Sequence, residues 1–548
     1  MLMSAFCRKR GPIVRWGMFV VALAALGGAL HVWLPPEPRW AVRGAFHEIR
    51  LLPDGSAVAG WASSELWQNS SKLRAPSVVV QSPLTLYETS IGTPLRTFFE
   101  GAGRLWSWAI CPSGRWIAAM TADSKIWIAD VQTGEEWYTI LDLPEWVSAD
   151  LTFSPDGEYL AIQAVRRATR LLHTPTGRLV HTWPTWDSHD RFSPDGAFFV
   201  HHAQIDKTDD VALHIWNLRT AAPAGVVMRA RCLAFSANSK TLFVQQKDEG
   251  GSQEHHVVAW DLSTAKPSRR IGTVSGQYLD VRLSLDQRVA AVLSMDALEF
   301  CDLVAGKRIA QTKIPGPRGH GVFSPDGKRL AESTQTELIV YDSATAVEIW
   351  HGPWHDTLAR SSPLFFSSDS QALVVCSSVS LELRSAATGT LKKSLFDTIH
   401  YAVPPTAAWS RDRLVAFETM KWGGSWRQGW LEEVLRHWLP AQWLPPSHGP
   451  EGIYVLDART GQALFELTDR GVESAVLSED GLTLVTVHDT GEEDGQLLRC
   501  WDVPAAKPLR WVLGMPLAAG VLLVSFRAGW RKWRQHPRPV REGAPPCH

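Results

Sequence analysis

One five-residue phrase, Phe-Ser-Pro-Asp-Gly, returns unchanged at Phe153–Gly157, Phe192–Gly196 and Phe323–Gly327. Looser copies stand at Leu51–Gly55, Ile110–Gly114, Phe235–Ser239, Leu283–Gln287, Phe366–Ser370, Trp409–Arg413 and Leu477–Gly481. Successive copies lie 39–48 residues apart, apart from steps of 59 and 68. A period of about 40–45 residues restricts the chain to repeated supersecondary units that bury their faces on one another.

Each unit reads as four strands. Pro-Asp-Gly is turn chemistry: Pro presets φ, Asp caps its own backbone and Gly takes φ > 0. Apolar runs precede and follow it, as in Asp150–Phe153 and Glu158–Gln163, which makes two strands joined by a tight turn. A third strand ends in Asp, as in Lys125–Asp130, Val257–Asp261, Leu338–Asp342, Ile453–Asp457 and Leu498–Asp502. A second turn follows, often Thr-Gly, and then a fourth strand such as Ala463–Leu467.

Four short strands per unit resemble the WD40 family of β-propellers, over about Leu51 to Val503. Trp260-Asp261 and Trp501-Asp502 match the dipeptide that names the family, and Gly319-His320 matches the Gly-His that opens its blades. Most copies lack both, so the likeness is to the loose bacterial form of the repeat. It implies an all-β propeller of about ten units over residues 40–509, as one continuous ring-like array; two small rings remain the alternative.

The ends have a different composition. Trp16–Leu34 is an apolar run of 19 residues without Asp, Glu, Lys or Arg, preceded by Arg8, Lys9, Arg10 and Arg15 and stopped by Pro35-Pro36. That length suits a membrane anchor; a cleaved secretory signal is the alternative. A second apolar run of 16 residues, Trp511–Phe526, is flanked by Arg510 and Arg527 and reads as a membrane helix or a buried core element. Tails 1–15 and 527–548 carry +4 and +5, so both termini are expected in the cytoplasm and the propeller outside it, as in a bacterial inner-membrane protein. The chain as a whole has a net charge of −1, which excludes a nucleic-acid binder that relies on bulk positive charge.

The step of 68 contains an insertion, Lys421–Gly452, between the second and third strands of the ninth unit. Trp430, Leu431, Val434, Leu435, Trp438 and Leu439 recur at helical spacing before Pro440. Five tryptophans, Trp422, Trp426, Trp430, Trp438 and Trp443, make this segment the candidate interaction surface. A helix packed on the propeller, a helix in the membrane interface and a partner-docking surface are all consistent with the pattern. Trp61–Pro83 reads as a polar loop.

No catalytic constellation is present: there is no G-x-S-x-G, P-loop, H-E-x-x-H or G-x-G-x-x-G. His201-His202 and His255-His256 are neighbours on strands, which point to opposite faces, so neither pair is expected to share a metal. The acidic run His488–Gly495 lacks the spacing of a Ca²⁺ loop. The seven cysteines include no C-x-x-C pair; five sit in separate units and read as small buried hydrophobes. Asp130–Trp137 and Val455–Phe465 resemble the tryptophan-docking repeat of quinoprotein propellers, which implies an alternative as a pyrroloquinoline-quinone dehydrogenase. The expectation is otherwise non-catalytic, without cofactor or metal: a scaffold or sensor platform tethered to lipid and binding an unknown protein.

Overall fold

The computed structural model describes residues 19–25, 36–63, 81–140, 149–164, 168–184, 190–205, 210–247, 254–275, 280–293, 297–313, 318–334, 337–353, 364–376, 381–396, 413–418, 452–467, 472–489, 496–505, 516–518 and 520–526, apart from positions 45, 47, 104 and 122. The chain divides into two compact units, Arg39–Pro504 and a unit formed by Met1–Pro38 with Ala505–His548.

Arg39–Pro504 consists of ten antiparallel sheets among the described residues, nine with four strands and one with three. Blades 1 to 8 run in chain order over residues 48–98, 105–140, 149–184, 191–227, 230–275, 280–313, 318–353 and 364–396. Blade 9 comprises Arg413–Glu418, Gly452–Asp457 and Ala463–Leu467; the residues that would supply its first strand are not among those described. Blade 10 joins Val472–Leu477, Thr483–Asp489 and Gln496–Asp502 to Trp40–Gly44, the chain's first strand. Trp40 lies opposite Cys500 and Gly44 opposite Gln496. The first strand is therefore the outer strand of the last blade.

Contacts join each blade to the next among the described residues, most of them apolar. Phe98 meets Trp108 between blades 1 and 2, Trp116 meets Leu160 between 2 and 3, and Trp183 meets Phe199 between 3 and 4. Val227 with Phe235, Phe243 with Val292, Phe300 with Phe323 and Val340 with Phe366 continue the series to blade 8. Lys393 Nζ donates to Gly461 O at 2.6 Å across the next seam, and the rings of Phe465 and Trp501 lie 5.5 Å apart across the one after. Val58 and Ile49 of blade 1 pack on Val485 and Leu498 of blade 10, which completes the circle. Closing the ring protects strand edges that would otherwise pair with other chains.

The recurring phrase is a hydrogen-bonded lock. In seven blades a Ser Oγ donates to the Asp or Asn two residues on at 2.5–2.8 Å and accepts from the backbone N–H five residues on at 2.9–3.0 Å. In blade 2 the thiol of Cys111 takes the place of this hydroxyl, accepting from Trp116 N at 3.0 Å. Where Gly is missing from the phrase, Ser239, Gln287 and Ser370 adopt the left-handed conformation with φ of 53–59°. All three bond across a seam: Asp195 N donates to Ser239 Oγ at 3.1 Å, Asp326 N donates to Ser370 Oγ at 3.2 Å, and Gln287 accepts from Ala237 N and donates through Nε2 to Phe235 O at 3.3 Å. Ser324→Ala removes both bonds of one buried lock and leaves Arg329 N–H without that acceptor. We expect a loss of about 1–3 kcal/mol, read from the urea midpoint, with the fold retained.

In the smaller unit, residues 19–25, 516–518 and 520–526 are helical. Among the described residues no helix is long and apolar enough to cross a membrane. Seven helical residues rise only about 10 Å, against the ~30 Å of a hydrocarbon core. The two expected spans, 16–34 and 511–526, thus extend beyond what is described, and the structure does not support them as membrane helices. The helical stretches adjoin each other at Gly520, where a Cβ would lie 3.3 Å from Leu23.

Candidate functional site: two unlike faces of the ring

Strand direction alternates within a blade, so its first-to-second and third-to-fourth connections lie on one face of the ring. The second-to-third connections and the links between blades lie on the other. All nine described first-to-second connections are five residues long, and the third-to-fourth connections are four or five. The opposite face has no such uniformity. Its second-to-third connections range from two residues (335–336) to thirty-three (419–451), with seventeen (64–80) in blade 1. One face is a set of repeated turns and the other is where the blades differ.

The turns of the uniform face share two structural contacts. The Asp that ends the third strand accepts two backbone N–H groups with one carboxylate oxygen: Asp130 from Gln132 and Thr133 at 2.8 and 3.0 Å, and Asp457 from Arg459 and Thr460 at 2.9 and 3.0 Å. The left-handed residue of this turn then receives a side chain from the preceding blade. Trp350 lies flat on Gly389, where a Cβ would come within 2.6 Å of the ring, and its Nε1–H donates to Ala386 O at 3.1 Å. Trp137 and Trp40 dock in the same way on Gly177 and Gly92, whereas Arg96, Arg269 and Lys393 do so on Gly134, Gly306 and Gly461. The segments that resemble the quinoprotein repeat therefore join blade to blade, and cations serve the same purpose as tryptophan. Nothing in this geometry points to a quinone site.

The chain enters and leaves the ring on the uniform face. Arg39 and Asp502 form an ion pair there, beside the paired strands Trp40–Gly44 and Gln496–Asp502. The five tryptophans of the insertion, Trp422, Trp426, Trp430, Trp438 and Trp443, lie outside the described residues. The strands that flank the insertion, Arg413–Glu418 and Gly452–Asp457, open onto the variable face, with Glu418 directly opposite Gly452. The insertion thus leaves the ring on the face opposite the chain ends.

Just beneath the variable face, between blades 3 and 4, lies a polar cluster that sequence reasoning missed. Asp190 is fully buried. Its Oδ2 accepts from Thr169 Oγ1 at 2.6 Å and from His201 Nδ1 at 2.9 Å, and its Oδ1 from His202 N at 3.0 Å. His202 turns to the other side of the strand, where its Nε2 accepts from Cys232 N at 3.0 Å. Burial pushes the Asp190 carboxyl up, but hydrogen bonds from His201, His202 and Thr169 outweigh it and carry it down to about 2. The two histidines do point to opposite faces, yet one carboxylate from the preceding inter-blade link serves both. An Asp two residues before a repeat phrase carries no sequence signal for this.

The remaining candidates have structural partners. His255 Nδ1 lies 3.0 Å from Gln245 Nε2, and His256 bonds to Arg270. His488 Nε2 lies 2.7 Å from Thr486 Oγ1, which also accepts from Trp501 Nε1 at 2.8 Å; residues 490–495 of the acidic run are not among those described. Among the described residues no three His, Cys, Asp or Glu side chains are placed to hold a metal ion. Cys111, Cys301 and Cys500 are buried free thiols and Cys232 is half-buried. Burial pushes Cys232 and Cys301 up to about 12 and Cys500 to about 11, so they behave as hydrophobes.

No protein-family model matches the chain, and no curated protein matches it. Its fold is similar to that of solved structures at low identity. The eukaryotic initiation factor is 12% identical, with 77% of this chain and 92% of that one covered and a TM-score of 0.45. The computationally designed Ika8 protein is 14% identical (65% and 96% covered, TM-score 0.39). The C-terminal WD40 domain of Sif2 is 13% identical (63% and 95% covered, TM-score 0.34). The blade-by-blade closure described above makes Arg39–Pro504 an all-β ring of mostly four-stranded blades.

Proposed function

We propose that this protein is a membrane-tethered propeller that presents its variable face to protein partners as a non-catalytic scaffold or sensor platform. The unequal lengths of the connections on the two faces carry the reading. Recognition surfaces concentrate on loops held by a rigid scaffold, and only one face has loops that differ. The Trp-rich insertion 421–452 is the main candidate docking element, because tryptophan supplies much of the binding energy at protein interfaces.

Tethering rests on the apolar end segments and on exposed side chains. Val20, Val21, Leu517, Val521, Leu522, Leu523 and Phe526 are all more than half exposed, which suits lipid surroundings. The positive charge of both tails supports a topology with the termini in the cytoplasm and the propeller outside it. Protease added to spheroplasts should digest the propeller and spare a C-terminal tag; loss of the tag would contradict this topology.

The opposed positions of Glu418 and Gly452 permit a clean test of the platform. Replacing residues 419–451 with a two-residue Asn-Gly turn rejoins neighbouring antiparallel strands. We expect the melting temperature to be unchanged and a defined partner, co-purified from gently solubilised membranes with the native chain, to be lost. Retention of that partner would refute the role of the insertion, and a collapse in stability would show that it is a packing element.

A further inference from the structure

We infer that the seam between blades 3 and 4 is an acid-triggered opening in the ring, in which protons taken up by His181 and His214 part the two blades locally and uncover Trp183 and Phe199. His181 and Trp183 stand on the fourth strand of blade 3, and Phe199, His201, His214 and Trp216 on the second and third strands of blade 4. The His181 ring lies 4.4 Å from each of the two indoles. Trp183 stacks on His201 at 5.4 Å and lies 5.3 Å from Phe199. His201 in turn lies 6.3 Å from His214. One connected set of rings, three of them imidazoles, therefore closes this seam.

The three histidines differ in their surroundings. His201 is fully buried, with Nδ1 bonded to Asp190. His181 and His214 are half-buried, so protons from solvent reach them. Burial, and then His201, hold both below the usual histidine value, so the neutral rings suit the closed seam and the charged rings an open one. Asp190 is the one carboxylate beside them among the described residues, and it is already taken by Thr169 Oγ1, His201 and His202 N. The other titratable groups of the seam, Tyr159, His173, Arg178, Glu158 and Asp156, stand at its uniform-face end. A proton on His181 or His214 thus adds a charge without a counter-charge in contact.

Two opposed effects meet at His181. The faces of Trp183 and Trp216 attract a cation, which favours a closed seam. Repulsion among three imidazoles in a low-dielectric seam favours an open one, and His214 adds to it without an indole of its own. The stack has little else to hold it, since Trp216 Nε1–H is buried without an acceptor among the described residues. At the uniform-face end the Tyr159 hydroxyl donates to Leu218 O of blade 4 at 2.7 Å. Burial raises its value further above the acid range, so this bond persists and serves as the pivot. Opening would present Trp183 and Phe199, both buried in the closed ring, as new aromatic surface.

The test is hydrogen exchange of the full-length protein, read by mass spectrometry at about pH 7.5 and about pH 5.5, with times scaled for the chemical exchange rate. Asp190, held at about 2, stays ionised at both, so the comparison isolates the histidines. We expect peptides from 168–184 and 198–217 to exchange at least about threefold faster in acid. Peptides from 289–313 and 318–342, on either side of the Phe300–Phe323 seam, should be unchanged. His181→Gln and His214→Gln should each remove part of the difference and together all of it; both side chains reach solvent, so the fold is kept. His351→Gln, at an exposed histidine paired with Glu348 on blade 7, should leave the difference intact. A rise spread evenly over all blades, no rise, or slower exchange because the indoles grip a charged His181 would overturn the proposal, as would a rise that survives the double substitution.

Discussion

Asp190→Asn is expected to destabilise the ring by about 3–5 kcal/mol, because it removes a buried charge whose partners remain in place. Thr169, His201 and the backbone N–H of His202 would then face a neutral amide in place of the carboxylate. The same carboxylate sets part of the acid limb of stability. Its folded value of about 2 lies below the ordinary aspartate value of 3.8, so its stabilisation is complete above about pH 4 and is lost as pH falls towards 2. The shift corresponds to about 2 kcal/mol. His181 and His214, half-buried in the same seam, act in the same direction. Burial, and then the neighbouring His201, hold both below the usual histidine value. The unfolded chain therefore takes up protons first, and stability begins to fall as pH drops below about 6.5. Urea midpoints measured from pH 7 to pH 3 should decline in two stages, and Asp190→Asn should make the decline below pH 4 shallower by the share that this carboxylate contributes. A variant with an unchanged midpoint at pH 7 would contradict the network.

Trp40→Ala is expected to cost about 3–5 kcal/mol, and Val42→Pro to open the ring. Trp40 is buried, donates through Nε1 to Thr89 O at 2.8 Å and docks on Gly92 of blade 1. It thus ties three strands of blade 10 to the first blade. Val42 lies in the middle of the pairing, opposite Leu498. Proline there removes a backbone donor and leaves Gln496–Asp502 as an unprotected edge, which invites pairing between molecules. Hydrogen exchange should show protection lost first in blades 10 and 1, and light scattering should show larger species. Uniform protection in Val42→Pro would mean that Trp40–Gly44 does not close the ring.

The repeat was legible in the sequence because one side-chain device, a serine bonded to an aspartate and to the strand beyond, recurs with little change from Ser154 to Ser478. The copies that drift remain readable because Ser239, Gln287 and Ser370 accept the left-handed turn and gain contacts of their own. Ring closure was not legible. Trp40–Gly44 lacks the phrase, and its partner strand lies more than 450 residues away. The docking of blade on blade was half legible: Trp137 suggested a tryptophan repeat, but Arg96, Arg269 and Lys393 fill equivalent places with their apolar stems, an exchange no motif records. The strands that flank the insertion, Arg413–Glu418 and Gly452–Asp457, kept their alternating pattern in the sequence, and Gly452 already belongs to the second of them.

The most direct test of the account is a cross-link across the closure. Ala41 and Arg499 are paired across the outer two strands of blade 10. Cysteines at these positions fall within the Cα separation that a disulfide spans. Thr85 and Thr97, paired within blade 1, provide a control. Under mild oxidation of the full-length protein, peptide mapping by mass spectrometry should find an intramolecular 41–499 link as readily as the 85–97 link. An 85–97 link without a 41–499 link, or a 41–499 link only between molecules, would contradict a ring closed by its own first strand.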